Sequence, residues 1–368
     1  MSKRKLIYVV SDIEKSLAFE WIANHFQSRF DLFFLLIGRS NTPLIFYLKK
    51  LQIRYALIDT SSSTIKKWWK VFSLIRRERP DIVHAHLWQA MLLGLSTSWI
   101  LGIKRRIFTR HHAAIHHYLY PSGLKWDKLC NWLATDIVAI SESVKDILIQ
   151  WEQANPEKTW LIHHGFDLSY FQQVDLENVS KLKLKLGLDD EKKPVVGIIA
   201  RYTEWKGIQF TIKAFGKIRD KFPNAYLLLA NADGDYSLEI KECLAQLPDS
   251  CYKEIIFEND LASLYKLFDV FVHVPTDRYA EAFGQTYVEA LAAGIPSVFT
   301  LSGVAHEFVQ DEVNAIVVNF KNVEEIASAL SRILEDTMLR DKLAREGKSA
   351  VKKFELNGML NKLEKLYE

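Results

Sequence analysis

A chain of 368 residues exceeds what one hydrophobic core ordinarily fills, so two domains of ordinary size are expected. Its 49% hydrophobic and 25% charged residues are those of a soluble globular protein, and its longest apolar run, from Met91 to Ile103, is broken by Ser96, Thr97 and Ser98 and is too short to span a bilayer. The formal charge of +3 divides unevenly: residues 1–170 carry 23 Lys and Arg against 14 Asp and Glu, and the remainder carries 25 against 31.

The opening MSKRKLIYVV reads as the start of a strand rather than a signal peptide, because charge resumes at Asp12 and no small-residue cleavage site follows. Further apolar runs follow at Leu32–Ile37, Tyr55–Ile58, Ile82–Ala85, Arg106–Thr109, Ile137–Ile140 and Trp160–Ile162. Helical patterns fall between them at Glu14–Phe26, Pro43–Leu51, Ile65–Arg77 and Leu124–Leu133. Strands alternating with helices predict a parallel, doubly wound sheet. No G-x-G-x-x-G follows the first strand, which leaves a nicotinamide or flavin cofactor without its usual loop.

Two stretches of this half look chemical. His84-Ala85-His86 ends one strand and Thr109-Arg110-His111-His112 follows the next, at the edge where open parallel sheets bind ligands. A metal held by His84, His86, His111 and His112 is conceivable, but no acidic residue has ligand-like spacing, and a hydrogen-bonded cluster is the preferred reading. His116 and His117 continue the theme in a loop. Lys66-Lys67-Trp68-Trp69-Lys70 combines cations with interfacial aromatics, and nine of the ten tryptophans precede residue 161. The basic half therefore suits an anionic membrane surface or acidic acceptor; the alternative is a solvated helix with two buried tryptophans. The three cysteines, Cys130, Cys243 and Cys251, form no metal spacing and read as reduced thiols of a cytoplasmic protein.

A polar, lysine-rich segment at Phe171–Leu186 precedes a second series of strands at Val195–Ala200, Tyr226–Ala230, Ile255–Phe257, Val270–Val274, Ser297–Thr300 and Ala315–Val318. The domains are set at 1–170 and 171–353, with 354–368 returning to the first. Arg201 at the end of the first of these strands and Lys206 before the next helix can clamp one anion from two directions. The stretch AEAFGQTYVEALAAGIPSVFT carries Glu281 and Gly284 in a loop and Glu289 on the helix that follows. A helix start behind a glycine suits a phosphate. Glu289 lies about 6 Å further along the axis at 1.5 Å per residue, the distance from a terminal phosphate back to a ribose. Glu281 falls on the other side, where a transferred group would sit.

On IIARYTEWKGI, the Asn231-Ala232-Asp233-Gly234 turn, AEAFGQTYVEALAAGIPSV with SGVAHE, and DIVHAHLW, FTRHHA, IVAISESVKDIL and LIHHGFDLSYF, the chain resembles the retaining family-4 glycosyltransferases of the GT-B fold. The resemblance implies an α/β architecture of two Rossmann-like doubly wound parallel-sheet domains facing a cleft. It implies that Arg201 and Lys206 bind the donor diphosphate and that Glu289 holds the ribose. Glu281 would bond hydroxyls of the transferred sugar. Backbone amides of Phe283, Gly284 and Gln285 would take the distal phosphate, and the segment containing Phe257 would lie against the base. His111, or His112 one residue on, would meet the sugar, and a helix at about Leu356–Tyr367 would cross back onto the first domain. The expected reaction is metal-independent and needs no cofactor. It moves a hexose or N-acetylhexosamine from a nucleotide diphosphate sugar to a saccharide or lipid-linked saccharide, in surface polysaccharide synthesis. Peripheral contact with the inner face of the cell membrane is expected, and no nucleic acid. Other readings are an epimerase or phosphorylase of the same fold, or a non-catalytic nucleotide-sugar-binding subunit. Many relatives carry a glycine-rich loop after the first strand; here Val10-Ser11-Asp12-Ile13-Glu14 holds no glycine, which affects the acceptor side.

Overall fold

The computed structural model describes residues 3–13, 17–188 and 191–368; Glu14, the last residue of the glycine-free loop and the first of an expected helix, lies outside them. The chain divides into two compact units, Met1–Gly165 with Asn357–Glu368, and Phe166–Leu356.

In the first unit, β1 (Lys5–Ser11), β2 (Asp31–Gly38), β3 (Arg54–Asp59), β4 (Ile82–His86), β5 (Arg105–Arg110), β6 (Asp136–Ala139) and β7 (Thr159–Leu161) form a parallel sheet in the order β3-β2-β1-β4-β5-β6-β7. The apolar residues of β1 and β4 lie deep in the sheet, with Leu6, Ile7, Val9, Ile82 and Val83 fully buried. The helix Thr64–Glu78 starts where the Ser63 hydroxyl accepts from Lys66 N–H and stops at left-handed Arg79. The helix Leu356–Tyr367 packs in this unit through Met359, Leu360, Leu363, Leu366 and Tyr367.

The second unit repeats the plan with six parallel strands: β8 (Val195–Ile199), β9 (Tyr226–Ala230), β10 (Tyr252–Ile255), β11 (Val270–His273), β12 (Ser297–Phe299) and β13 (Ile316–Val317), in the order β10-β9-β8-β11-β12-β13. One element departs from expectation. The run Ile255–Phe257 contributes only Ile255 to a strand; β10 begins at Tyr252, and Ile256 and Phe257 are exposed beyond it. As an edge strand paired on one side with β9, β10 needs only half-buried residues, so an apolar run is a poor marker of its position.

Both sheets reverse direction of growth once, between β1 and β4 and between β8 and β11. Loops leaving the carboxyl ends of those strands diverge to opposite faces, opening a crevice for a ligand. His86 and His111 stand at that edge of the first sheet, and Arg201, Lys206 and His273 at that edge of the second.

Candidate active site

Within the second unit, a short turn at Glu204–Lys206 follows β8 and ends at Gly207, with φ +72°. A Cβ at Gly207 would sit 2.0 Å from the Val274 carbonyl oxygen, so only glycine lets this turn lie against the end of β11. That approach carries Lys206 to Glu281, 75 residues away in the chain. The Lys206 ammonium donates to Glu281 Oε1 at 2.5 Å, and His273 Nε2 lies 3.0 Å from the same oxygen. The Glu281 N–H in turn donates to Ser302 Oγ at 3.0 Å. Glu281 is 7% exposed. Burial alone would raise its pKa, but the Lys206 charge and the His273 hydrogen bond prevail and hold it at about 2.

The loop from Glu281 reaches the helix Gln285–Ala293 through Gly284, whose φ of +85° only glycine adopts without strain. No side chain caps this helix start, and the Thr286 hydroxyl in its first turn is buried without a protein partner. Its first N–H groups have no intrahelical acceptors and lie at the positive end of the helix dipole, which together favour an anion. Glu289, one turn on, accepts from the Tyr265 hydroxyl at 2.9 Å. With no cation beside it, desolvation raises the Glu289 pKa to about 7. Phe283 turns its ring into the core against Phe166 and Phe354, while Gln285 is exposed. Arg201 is exposed and carries no ion pair among the described residues. The structure thus joins Lys206 with Glu281 and places Gly284, Gln285 and Glu289 on one helix; Arg201 and Phe257 stand exposed, apart from these contacts.

In the first unit the two adjacent histidines diverge. His111 Nε2 pairs with His86 Nδ1 at 3.1 Å, and burial holds its pKa well below the ordinary histidine value. His112 turns to Asp127 at 3.2 Å; burial and the Arg110 charge take it down to about 4 despite that carboxylate. Arg110, fully buried, donates to Asp127 at 2.8 Å and to Glu152 at 2.5 Å, and His116 and His117 approach the same two carboxylates at 2.6 and 3.3 Å. His84 joins a different chain, between the hydroxyls of Tyr367 at 2.6 Å and Thr109 at 2.8 Å.

The metal set conceived from four histidines is therefore not assembled. His112, His116 and Asp127 instead lie with ligand atoms within 4.8 Å of one another. The Arg110 guanidinium already occupies the Asp127 oxygen they share, so a metal ion there would meet a fixed positive charge. Asp127, Glu152, Tyr367 and His273 were not singled out from sequence. For His273 a signal existed: it is the one polar residue in the apolar run Val270–Val274.

Comparison with known proteins bears on both units. Residues 50–170 match the model for Glycosyltransferase Family 4, and residues 182–350 that for Glycosyl transferases group 1. The chain is 27% identical over 311 residues to the capsular polysaccharide biosynthesis glycosyltransferase CapM of Staphylococcus aureus, covering 83% of this chain and 81% of that one. It is also 27% identical over 301 residues to an uncharacterized glycosyltransferase of Methanocaldococcus jannaschii, covering 77% and 73%. Its fold matches that of Anabaena HepE in complex with UDP and glucose, with a TM-score of 0.85 over 99% of each chain at 21% identity. Two parallel α/β units, matched in turn by the two glycosyltransferase models, place this chain in the family-4-type glycosyltransferases of the GT-B superfamily.

Proposed function

We propose that the protein transfers a hexose or N-acetylhexosamine from a nucleotide diphosphate sugar to an acceptor hydroxyl, with retention of the anomeric configuration. The observation that carries this reading is the Lys206–Glu281–His273 cluster in the loops leading to an uncapped helix start, with Glu289 one turn inside the same helix. Lys206 and the first amides of that helix stabilise the negative charge that builds on the departing phosphate; Arg201, exposed and without an ion pair among the described residues, adds a second cation. Glu289 accepts the ribose hydroxyls, and Glu281 accepts hydroxyls of the transferred sugar. The acceptor attacks from the face the phosphate leaves, and the leaving phosphate oxygen takes its proton. Lys206→Ala and Glu281→Ala each lower turnover at least about a hundredfold while leaving the protein folded, a loss of the size seen when a group aimed at developing charge is removed. Near-normal activity in either purified variant removes that residue's role. Incubation with UDP-glucose, UDP-N-acetylglucosamine and GDP-mannose separates the readings: epimer formation without acceptor favours an epimerase, and nucleotide binding without turnover a non-catalytic subunit.

The acceptor proposed is a lipid-linked saccharide in surface polysaccharide synthesis, a reading supported by the likeness to CapM. No helix among the described residues is long and apolar enough to cross a membrane. On the helix Thr64–Glu78, Trp68 is half-buried and donates to Ser96, whereas Trp69 is 60% exposed beside Ile65, Lys66 and Lys70. This mixed face supports peripheral contact with an anionic membrane. Equal sedimentation with neutral and anionic vesicles would count against it.

A further inference from the structure

We propose that His273 is a positioning residue for Glu281, held as the neutral imidazole with its proton on Nε2, so that Glu281 meets the transferred sugar through Oε2 alone. The inference rests on the donor-site reading above and gives a role to His273, which that reading names only as a neighbour of Glu281. Glu281 is ionised, and an ionised carboxylate only accepts hydrogen bonds. The 3.0 Å contact therefore requires an N–H on His273 Nε2. The opposite nitrogen, Nδ1, is buried without a protein partner, so a second proton there would be a buried, unsatisfied donor on a charged ring. Burial lowers the His273 pKa to the same effect. The tautomer thus follows from geometry.

The surroundings hold the ring still. His273 ends β11, is 2% exposed, and meets Tyr287 edge-on at 4.7 Å between centroids. The Tyr287 hydroxyl donates to the Thr300 carbonyl at 2.9 Å, and its ring lies where a Cβ on Gly284 would be 2.6 Å away. One aromatic side chain thereby links the histidine to the glycine that opens the helix. Lys206 and His273 both donate to Oε1, and no described group donates to Oε2. Two donors from different directions fix the carboxylate plane. Lys206 alone, on a flexible stem, would leave the group free to rotate when a diphosphate draws the ammonium away.

The test pairs spectroscopy with kinetics. With histidine ring nitrogens labelled with 15N, and the His273 signal assigned by its loss in His273→Gln, the wild-type protein at pH 7 should show the neutral Nε2–H form. A proton on Nδ1, or an imidazolium, overturns the proposal without reference to any substrate. In parallel, kcat for the best of UDP-glucose, UDP-N-acetylglucosamine and GDP-mannose should fall about ten- to a hundredfold in His273→Leu, as expected for misplacing a reacting group by about 1 Å. The dissociation constant for UDP or GDP should stay within about twofold of wild type, since the diphosphate does not touch Glu281 Oε2. His273→Gln, whose Nε2 can donate from a similar position, should recover most of the activity. Equal loss of nucleotide affinity and turnover in His273→Leu, no rescue by glutamine, or unchanged kcat would each refute the positioning role. A wild-type protein that binds neither UDP nor GDP would instead refute the proposed function, and the nitrogen spectrum would still decide the tautomer.

Discussion

Replacing Glu289 by glutamine should make the unliganded protein more stable and a poorer binder of nucleotide. Glu289 sits in a helix with its side chain buried, one tyrosine hydroxyl donating to it and no cation nearby. Its pKa in the folded protein is about 7 against an ordinary value of 4.5. A raised carboxyl pKa means that between these two values the folded state binds more protons than the unfolded one, so stability falls as pH rises through that window. A shift of this size corresponds to about 3 kcal/mol when complete, at about 1.4 kcal/mol per pKa unit. Most of it is already expressed by pH 7. At pH 5 the same linkage gives about 1 kcal/mol, and at pH 8 about 3 kcal/mol.

Glu289→Gln keeps the shape and the acceptor for Tyr265 but removes the titration. Its stability advantage over wild type should therefore grow by about 2 kcal/mol between pH 5 and pH 8. Urea unfolding at those two values, followed by hydrogen exchange of the β8, β11 and β12 amides, reads the second unit directly. UDP, or GDP if the protein prefers guanine, should stabilise wild type and fail to stabilise the variant to the same degree. A gap that is the same at both pH values would refute the reasoning, because a constant gain reports packing rather than the ionisation of Glu289.

Glu281 should show the opposite sign. Its folded pKa of about 2 lies below 4.5, so its contribution is present above about pH 4.5 and fades as pH falls towards 2. Wild type should lose about 2 kcal/mol more than Glu281→Gln between pH 7 and pH 3 in urea unfolding, and parallel losses would contradict the assignment. Arg110→Met should destabilise the first unit by about 3–5 kcal/mol, since it strands Asp127 and Glu152, both fully buried in their side chains. A change under about 1 kcal/mol by denaturant titration would show those carboxyls to be protonated or hydrated instead. Tyr367→Phe removes the hydroxyl shared by Tyr8 and His84 and should cost about 1–3 kcal/mol, with nucleotide affinity unchanged. A loss of nucleotide affinity would show that the residue acts beyond the first unit's core.

The architecture was legible because period and composition carry it. Mostly apolar runs mark 12 of the 13 described strands, whereas β10 shares only Ile255 with the run Ile255–Phe257. Gly284 and Gly294, both with positive φ, mark the two ends of the helix Gln285–Ala293. What did not show was side-chain pairing between one element and another. Nothing local to His273 says that β11 ends opposite the Glu281 loop, and nothing local to Asp127 says that it will receive Arg110, 17 residues away. A histidine looks alike in sequence whether it faces a carboxylate, a hydroxyl or another imidazole. His84, His86 and His112 have one of each. Strand order, not spacing, decides which.

The two glutamates eight residues apart end in opposite electrical states because the fold completes one and not the other. Glu281 receives an ammonium, an imidazole N–H and burial, and its charge is settled before any ligand arrives. Glu289 receives a single phenol for a carboxylate with about four acceptor positions. Such a group raises the free energy of the empty protein, and the deficit is relieved by whatever brings donors without charge. Two vicinal hydroxyls are that chemistry: they satisfy the remaining lone pairs, favour the ionised form and draw the pKa back down. Binding of the nucleoside part should therefore release a proton near pH 7, and affinity should rise with pH through that range. Calorimetry in buffers of different ionisation enthalpy measures this directly, with about half a proton released at pH 7 if Glu289 is half-protonated when free. No buffer dependence, or proton uptake, would mean that the carboxylate is not where the ribose binds.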